Sequence, residues 1–185
     1  MPNSAALNPV TNKIYIANEC GTDTMCSYYS RGTVTVVDGT TNNTLSVNVG
    51  YSPGGVAVNP VTNKIYVANW CGDDTSCGWG SVTVIDGATL ATTTVAVGSG
   101  PNAVAVNSVT NKIYVVNGCG NDIYCNTCDG TVTVIDGATL ATSTVSVGPG
   151  PHPPVVNSVT NKIYVANYCG TDSYCSQNPP TLSGQ

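Results

Sequence analysis

Short runs in which apolar and polar residues alternate recur along the chain. They are TVTVV at 33–37, VAV at 56–58, VTVI at 82–85, VAV at 104–106 and VTVI at 132–135. A period of two is that of a pleated strand, and Val, Ile and Thr are the residues that fit one. No stripe of period 3.6 lasts ten residues, so helix is not expected. Asp-Gly follows each Val-Thr-Val run, at Asp38-Gly39, Asp86-Gly87 and Asp136-Gly137. It predicts a tight turn in which glycine takes a positive φ. Pro53, Pro101 and Pro151 precede opening strands, where a missing N–H does no harm to a ladder.

The strands come in a fixed order that repeats. NKIYIAN at 12–18 returns as NKIYVAN at 63–69, NKIYVVN at 111–117 and NKIYVAN at 161–167. Each of the first three copies is followed by a Val-Thr-Val run, then by a closing run: TLSVNVG (44–50), TTVAVG (93–98) and STVSVG (143–148). The openers are SAALNP, GGVAVNP, NAVAVNS and PPVVNS. Four short antiparallel strands in about 50 residues form the module of a β-propeller blade, which must stack on neighbours to bury its faces. The Ile-Tyr-Val-Ala-Asn, Val-Thr-Val-Ile-Asp and Val-Ala-Val-Asn runs resemble the YVTN-type β-propeller repeat family over nearly the whole chain. The fold expected is therefore all-β, a single propeller-repeat domain over 1–185. It holds full blades at 4–50, 54–98 and 102–148, a partial blade at 153–175 and a tail at 176–185. The resemblance implies a ring that usually closes with seven blades, and this chain supplies about three and a half. Closure by a thin fourth blade, pairing of two chains, or a longer parent protein would each account for the shortfall. An open row leaves apolar faces exposed, so self-association into a dimer or polymer is expected.

Composition narrows the function classes. Charged residues are only 8% of the chain, and 10 acidic against 5 basic side chains give a net charge of -5. No basic patch is present to neutralise phosphates, which argues against nucleic acid. No apolar run approaches the roughly 18 residues of a membrane helix, so membrane insertion is not expected. Nine cysteines in so short a chain point to an oxidising compartment, extracellular or at the cell surface. The opening Met1-Pro2-Asn3 shows no signal-peptide pattern.

In a propeller the loops after the first and third strands of each blade share one face, and the remaining loops share the other. On the first face NPVTNK, NSVTNK and DGATLAT read as turn scaffolding, with Lys13, Lys64, Lys112 and Lys162 as solvated stems. The second face carries Cys-Gly-x-Asp-x-x-Cys four times. Cys20–Cys26, Cys71–Cys77, Cys119–Cys125 and Cys169–Cys175 are expected to form disulfides within these loops. Asp23, Asp74, Asp122 and Asp172 are either Asx-turn acceptors or a ring of carboxylates for a hard cation such as calcium. Cys128 is the odd cysteine, and His152 the single histidine. Cys119, Cys125, Cys128 and His152 make an alternative zinc set. Trp70 and Trp79, beside these aspartates and His152, are candidate contacts for a glycan or peptide. Tyr15, Tyr66, Tyr114 and Tyr164 are expected to pack between blades.

No nucleophile elbow, Walker loop or HExxH motif occurs. The reading favoured is a non-catalytic, secreted or surface propeller module for binding or assembly, with no firm cofactor. One alternative is a subunit of an extracellular polymer of stacked blades. The other, implied by the resemblance, is a metal-dependent lactonase- or lyase-like propeller completed by a partner chain.

Overall fold

The structure, a computed structural model, describes residues 1–21, 23, 30–73, 75–126 and 129–169. Among these every regular element is a strand, and no helix is long and apolar enough to cross a membrane. Sheet I is β1 (Pro2–Asn8), β2 (Lys13–Asn18), β3 (Arg31–Asp38) and β4 (Thr44–Tyr51). Sheet II is β5 (Pro53–Asn59), β6 (Lys64–Asn69), β7 (Ser81–Asp86) and β8 (Thr92–Ala96). Sheet III is β9 (Ser99–Asn107), β10 (Lys112–Gly120), β11 (Thr131–Asp136) and β12 (Thr142–Ser146). Sheet IV is the pair β13 (Val155–Asn157) and β14 (Lys162–Tyr164). Each sheet is an antiparallel meander in chain order. The register repeats as well: Lys13 pairs with Asp38, Lys64 with Asp86 and Lys112 with Asp136.

The sheets stand side by side in an open row that does not close into a ring, first strand against first strand. The core lies between them. Tyr15, Ala17, Val34 and Val36 of sheet I pack with Ile65, Val67 and Ile85 of sheet II. Tyr66, Ala68, Val82 and Val84 of sheet II then pack with Ile113, Val115 and Ile135 of sheet III. Alternation along β6 therefore sends Ile65 one way and Tyr66 the other, so a central sheet is apolar on both faces. Each fully buried side chain of this size contributes about 1.5–3 kcal/mol relative to exposure. Tyr164 is the exception among the four tyrosines: it is exposed, and among the described residues no further sheet covers it.

A buried asparagine closes each inner strand. Asn69 Nδ2 donates to Ser81 Oγ (3.0 Å) and Thr83 Oγ1 (2.9 Å), and Asn117 Nδ2 repeats this with Thr131 and Thr133. A second set links the sheets. Asn8 Nδ2 donates to Asn63 Oδ1 (2.9 Å), Asn59 Nδ2 to Asn111 Oδ1 (2.9 Å) and Asn107 Nδ2 to Asn161 Oδ1 (3.0 Å). The three donors are wholly buried, and the acceptors sit in left-handed backbone at φ 52–53°. Asparagine is among the few non-glycine residues that adopt this conformation readily. The NPVTNK and NSVTNK turns are thus the clasp between sheets as well as scaffolding.

Two expectations need correction. Gly39, Gly87 and Gly137 are not the positive-φ residues of their turns; Asn42, Leu90 and Leu140 are, at φ 60–61°. Glycine is needed there for close approach, since a Cβ on Gly39 would lie 2.7 Å from Asn12 Oδ1. The aspartate caps the turn: Asp86 Oδ1 accepts from the N–H of Ala88 and Thr89. The lysines are not all free stems. Lys112 Nζ pairs with Asp136 Oδ2 at 2.7 Å, and Lys64 Nζ donates to Gly137 O.

Candidate functional site

The loops after the second strand of each sheet gather on one face, beside the turns that lead into the next sheet. Tyr51 N–H donates to Gly72 O, and Tyr168 N–H to Gly150 O. Within a loop the geometry follows from its motif. Asp23 N–H donates to Cys20 O, Asp122 N–H to Cys119 O and Cys125 N–H to Asp122 O, so the chain turns twice in six residues. The glycine after the first cysteine takes φ 52° at Gly21, 62° at Gly72 and 57° at Gly120. Left-handed backbone at that point favours glycine, which accounts for Cys-Gly in these three copies.

Cys71–Cys77 and Cys119–Cys125 are disulfides across these turns. Cys20 and Cys169 are disulfide-bonded too, while Cys26 and Cys175 lie outside the described residues. By loop-closure entropy, each loop of this size gains at most about 2.4 kcal/mol. The bonded sulfurs of Cys119 and Cys125 are not available as thiolates, which overturns the zinc set with Cys128 and His152. The His152 ring faces Tyr168 of the fourth unit, 6.2 Å between centroids. Cys128 lies outside the described residues.

The aspartates serve the loops. Asp122 Oδ1 accepts from Tyr124 N–H at 2.9 Å, an Asx-turn. Asp23 accepts from the Ser30 hydroxyl. Asp74 and Asp172 lie outside the described residues, and among those described no three His, Cys, Asp or Glu side chains converge as metal ligands. Asp122 does border a cleft of about 530 Å³ with Asn121, Asp129, Thr131 and Ser146.

The tryptophans differ. The Trp70 ring reaches over sheet III, 3.2 Å from where a Cβ on Gly100 would lie, so it spans the junction between sheets II and III. Trp79 is 55% exposed and borders a groove of about 250 Å³ between the same sheets. Asn121, Thr133, Thr142 and Thr144 line the groove from sheet III, and Ala96, Val97 and Gly98 from the end of β8. Asn121 and the three threonines were not among the candidate contacts read from the sequence. Their spacing in the chain carries no signal, because only the stacking of two sheets brings them to Trp79.

The junction between sheets I and II places different residues at the corresponding positions. Arg31 stands where Trp79 does, before the glycine that opens the third strand, and Asp73 stands where Asn121 does. Arg31 Nη2 and Asp73 Oδ1 are 3.7 Å apart, and the guanidinium lies 5.4 Å from the centre of the Tyr51 ring.

No family model and no curated protein sequence matches this chain. Solved structures do. A chain of the nidogen/laminin complex has a TM-score of 0.62 at 10% identity, covering 90% of this chain and 56% of its own length. The propeller domain of the Trilobed protease from Pyrococcus furiosus, with its open velcro topology, scores 0.61 at 11% identity, covering 89% and 47%. Pyrococcus horikoshii acylaminoacyl peptidase scores 0.60 at 10% identity, covering 89% and 27%. The chain thus spans about half the length of the first two, and identities this low show the fold alone. That fold is the β-propeller, present here as an open row of three four-stranded sheets and a two-stranded one.

Proposed function

We propose that this protein is a non-catalytic, extracellular propeller-repeat module that binds a neutral glycan on its disulfide-braced face. The groove beside Trp79 carries the reading. Every side chain lining it is uncharged, one wall is an exposed aromatic ring, and the opposite wall is a row of hydroxyls with one amide. Sugars present apolar C–H faces that stack on such rings and hydroxyls that exchange hydrogen bonds with Thr and Asn. An anionic ligand has no partner there. The disulfides hold the loops that carry Trp79 and Asn121, so little ordering entropy is lost on binding. They also favour an oxidising location.

The chain has only two tryptophans, so emission reports on this face directly. Neutral oligosaccharides selected on a glycan array are expected to change the emission saturably. Trp79→Ala should abolish the response and leave the melting temperature unchanged. Array-wide silence, or full binding by Trp79→Ala, would discard the glycan reading; a signal from extended peptides alone would reassign the groove to peptide.

A further inference from the structure

We infer that the two end faces of the row are the halves of one interface, and that a second copy of this chain joins them head to tail. This stands apart from the glycan groove and does not depend on it. Each internal junction has the same anatomy. Tyr66 and its neighbours on sheet II bury Ile113 of sheet III, with Val106 packed alongside, while Asn59 clasps Asn111. The outer face of sheet I offers the receiving half, and among the described residues no sheet packs against it. Ile14, the counterpart of the wholly buried Ile65 and Ile113, is 36% exposed, and Leu7, the counterpart of Val58 and Val106, is 55% exposed. Asn12 has the same left-handed backbone (φ 53°) as the acceptors Asn63, Asn111 and Asn161. Among the described residues no asparagine donates to it.

Sheet IV offers the inserting half. Tyr164, the counterpart of Tyr15 and Tyr66, is 57% exposed, and Val155 is 66% exposed. Asn157 corresponds to the donors Asn8, Asn59 and Asn107. Its Oδ1 accepts from Val159 and Thr160 as theirs do within their own turns, but among the described residues its Nδ2 meets no acceptor. A donor face and an acceptor face that match each other, and not themselves, make a heterologous contact. Tyr164 would cover Ile14 and Leu7, and Asn157 Nδ2 would donate to Asn12 Oδ1. The repeating interface inside the chain is the evidence for this occupant, because what each end face leaves uncovered among the described residues matches what the other displays.

The full chain, followed by sedimentation over a range of concentrations, is expected to associate beyond its 18.8 kDa monomer mass, as a closed pair or a longer row. Ile14→Lys and Tyr164→Lys should each be monomeric, since each removes one half from every copy. Mixing the two should restore one junction and give a one-to-one pair of twice the monomer mass. Asn157→Ala should weaken the wild-type association by roughly tenfold. All substituted side chains are exposed or part-exposed, and unchanged circular dichroism confirms folding; Leu7→Lys is the second variant for the sheet I end. A monomer at every concentration overturns the inference. So does association that survives either lysine variant alone, which would mark a self-complementary contact.

Discussion

The junction between sheets I and II and the junction between sheets II and III are built on one frame and finished differently. Both have a tyrosine facing a β-branched cluster, an asparagine clasp and a disulfide-bonded loop overhead. They diverge at two positions on the loop face. Arg31 and Asp73 form an ion pair across the first, and Trp79 and Asn121 border a neutral groove across the second. A repeat protein can therefore hold its architecture constant while its chemistry varies from one junction to the next, because the side chains that support the sheets and those that meet a ligand belong to separate layers.

The largest separation between the junctions is expected in alkali. Burial, reinforced by the nearby Asp136 carboxylate, pushes the Tyr66 hydroxyl up to about 12. Burial also raises Tyr15, to a smaller extent, with the Thr11 hydroxyl opposing the shift. A phenol held neutral in the folded state contributes stability that is complete below its unfolded value near 10. That contribution is lost as pH rises through the folded value. At about 1.4 kcal/mol per unit of pKa, the loss from Tyr66 is about 2 kcal/mol between pH 10 and 12 and is complete only above the folded value. Denaturant melts across that window should show the decline, and Tyr66→Phe should flatten most of it. The Thr62 hydroxyl opposes the Tyr66 shift only weakly, and no hydrogen bond of good geometry holds the Tyr66 hydroxyl among the described residues, so the same variant should cost little at neutral pH. An unchanged alkaline slope in Tyr66→Phe would move the sensitivity away from this junction.

Next in size is a test of what the junctions share. Asn59→Ala removes the clasp to Asn111 and the bonds to Val61 and Thr62, leaving buried groups unpaired at a cost of about 2 kcal/mol. Asn8→Ala should cost a similar amount, since it loses the clasp to Asn63 and the bond to Val10. Equal shifts in urea midpoint would confirm a common frame. A much smaller shift at one of them would show that its apolar contacts alone hold that junction.

The frame was legible in the sequence because its signals are local. Val-Thr-Val alternation, fixed motif order and Cys-Gly-x-Asp-x-x-Cys spacing each report on one strand or one loop. The joints were not legible in the same way. Asn8 and Asn63 are separated by a whole unit, and nothing in NPVTNK distinguishes a capping asparagine from one that reaches the next sheet. Gly39 and Gly87 pointed to a positive φ when the constraint was a neighbour in space. The loop-face reading found Trp79 as an unusual aromatic but missed Asn121, Thr142 and Thr144, which only stacking brings near it. His152 meets Tyr168 across a turn, a contact that its place among prolines does not signal.

The smallest expected effect bears on the contrast itself. The Arg31 and Asp73 side chains are about half exposed, so their pair is screened by solvent and worth less than about 1 kcal/mol. Arg31→Ala should lower stability slightly at low salt and not at all near 1 M salt, where the screening length falls to about 3 Å. The informative experiment transplants the pair. Trp79→Arg with Asn121→Asp writes the first junction's residues into the second. The double variant should gain a small, salt-sensitive increment of stability relative to its two single variants, readable as a coupling in a double-mutant cycle. It should also lose any sugar-dependent change in emission, now reported by Trp70 alone. Coupling without loss of binding would place the ligand elsewhere on the loop face. Loss of binding without coupling would show that the two junctions differ in backbone geometry as well as in these two side chains.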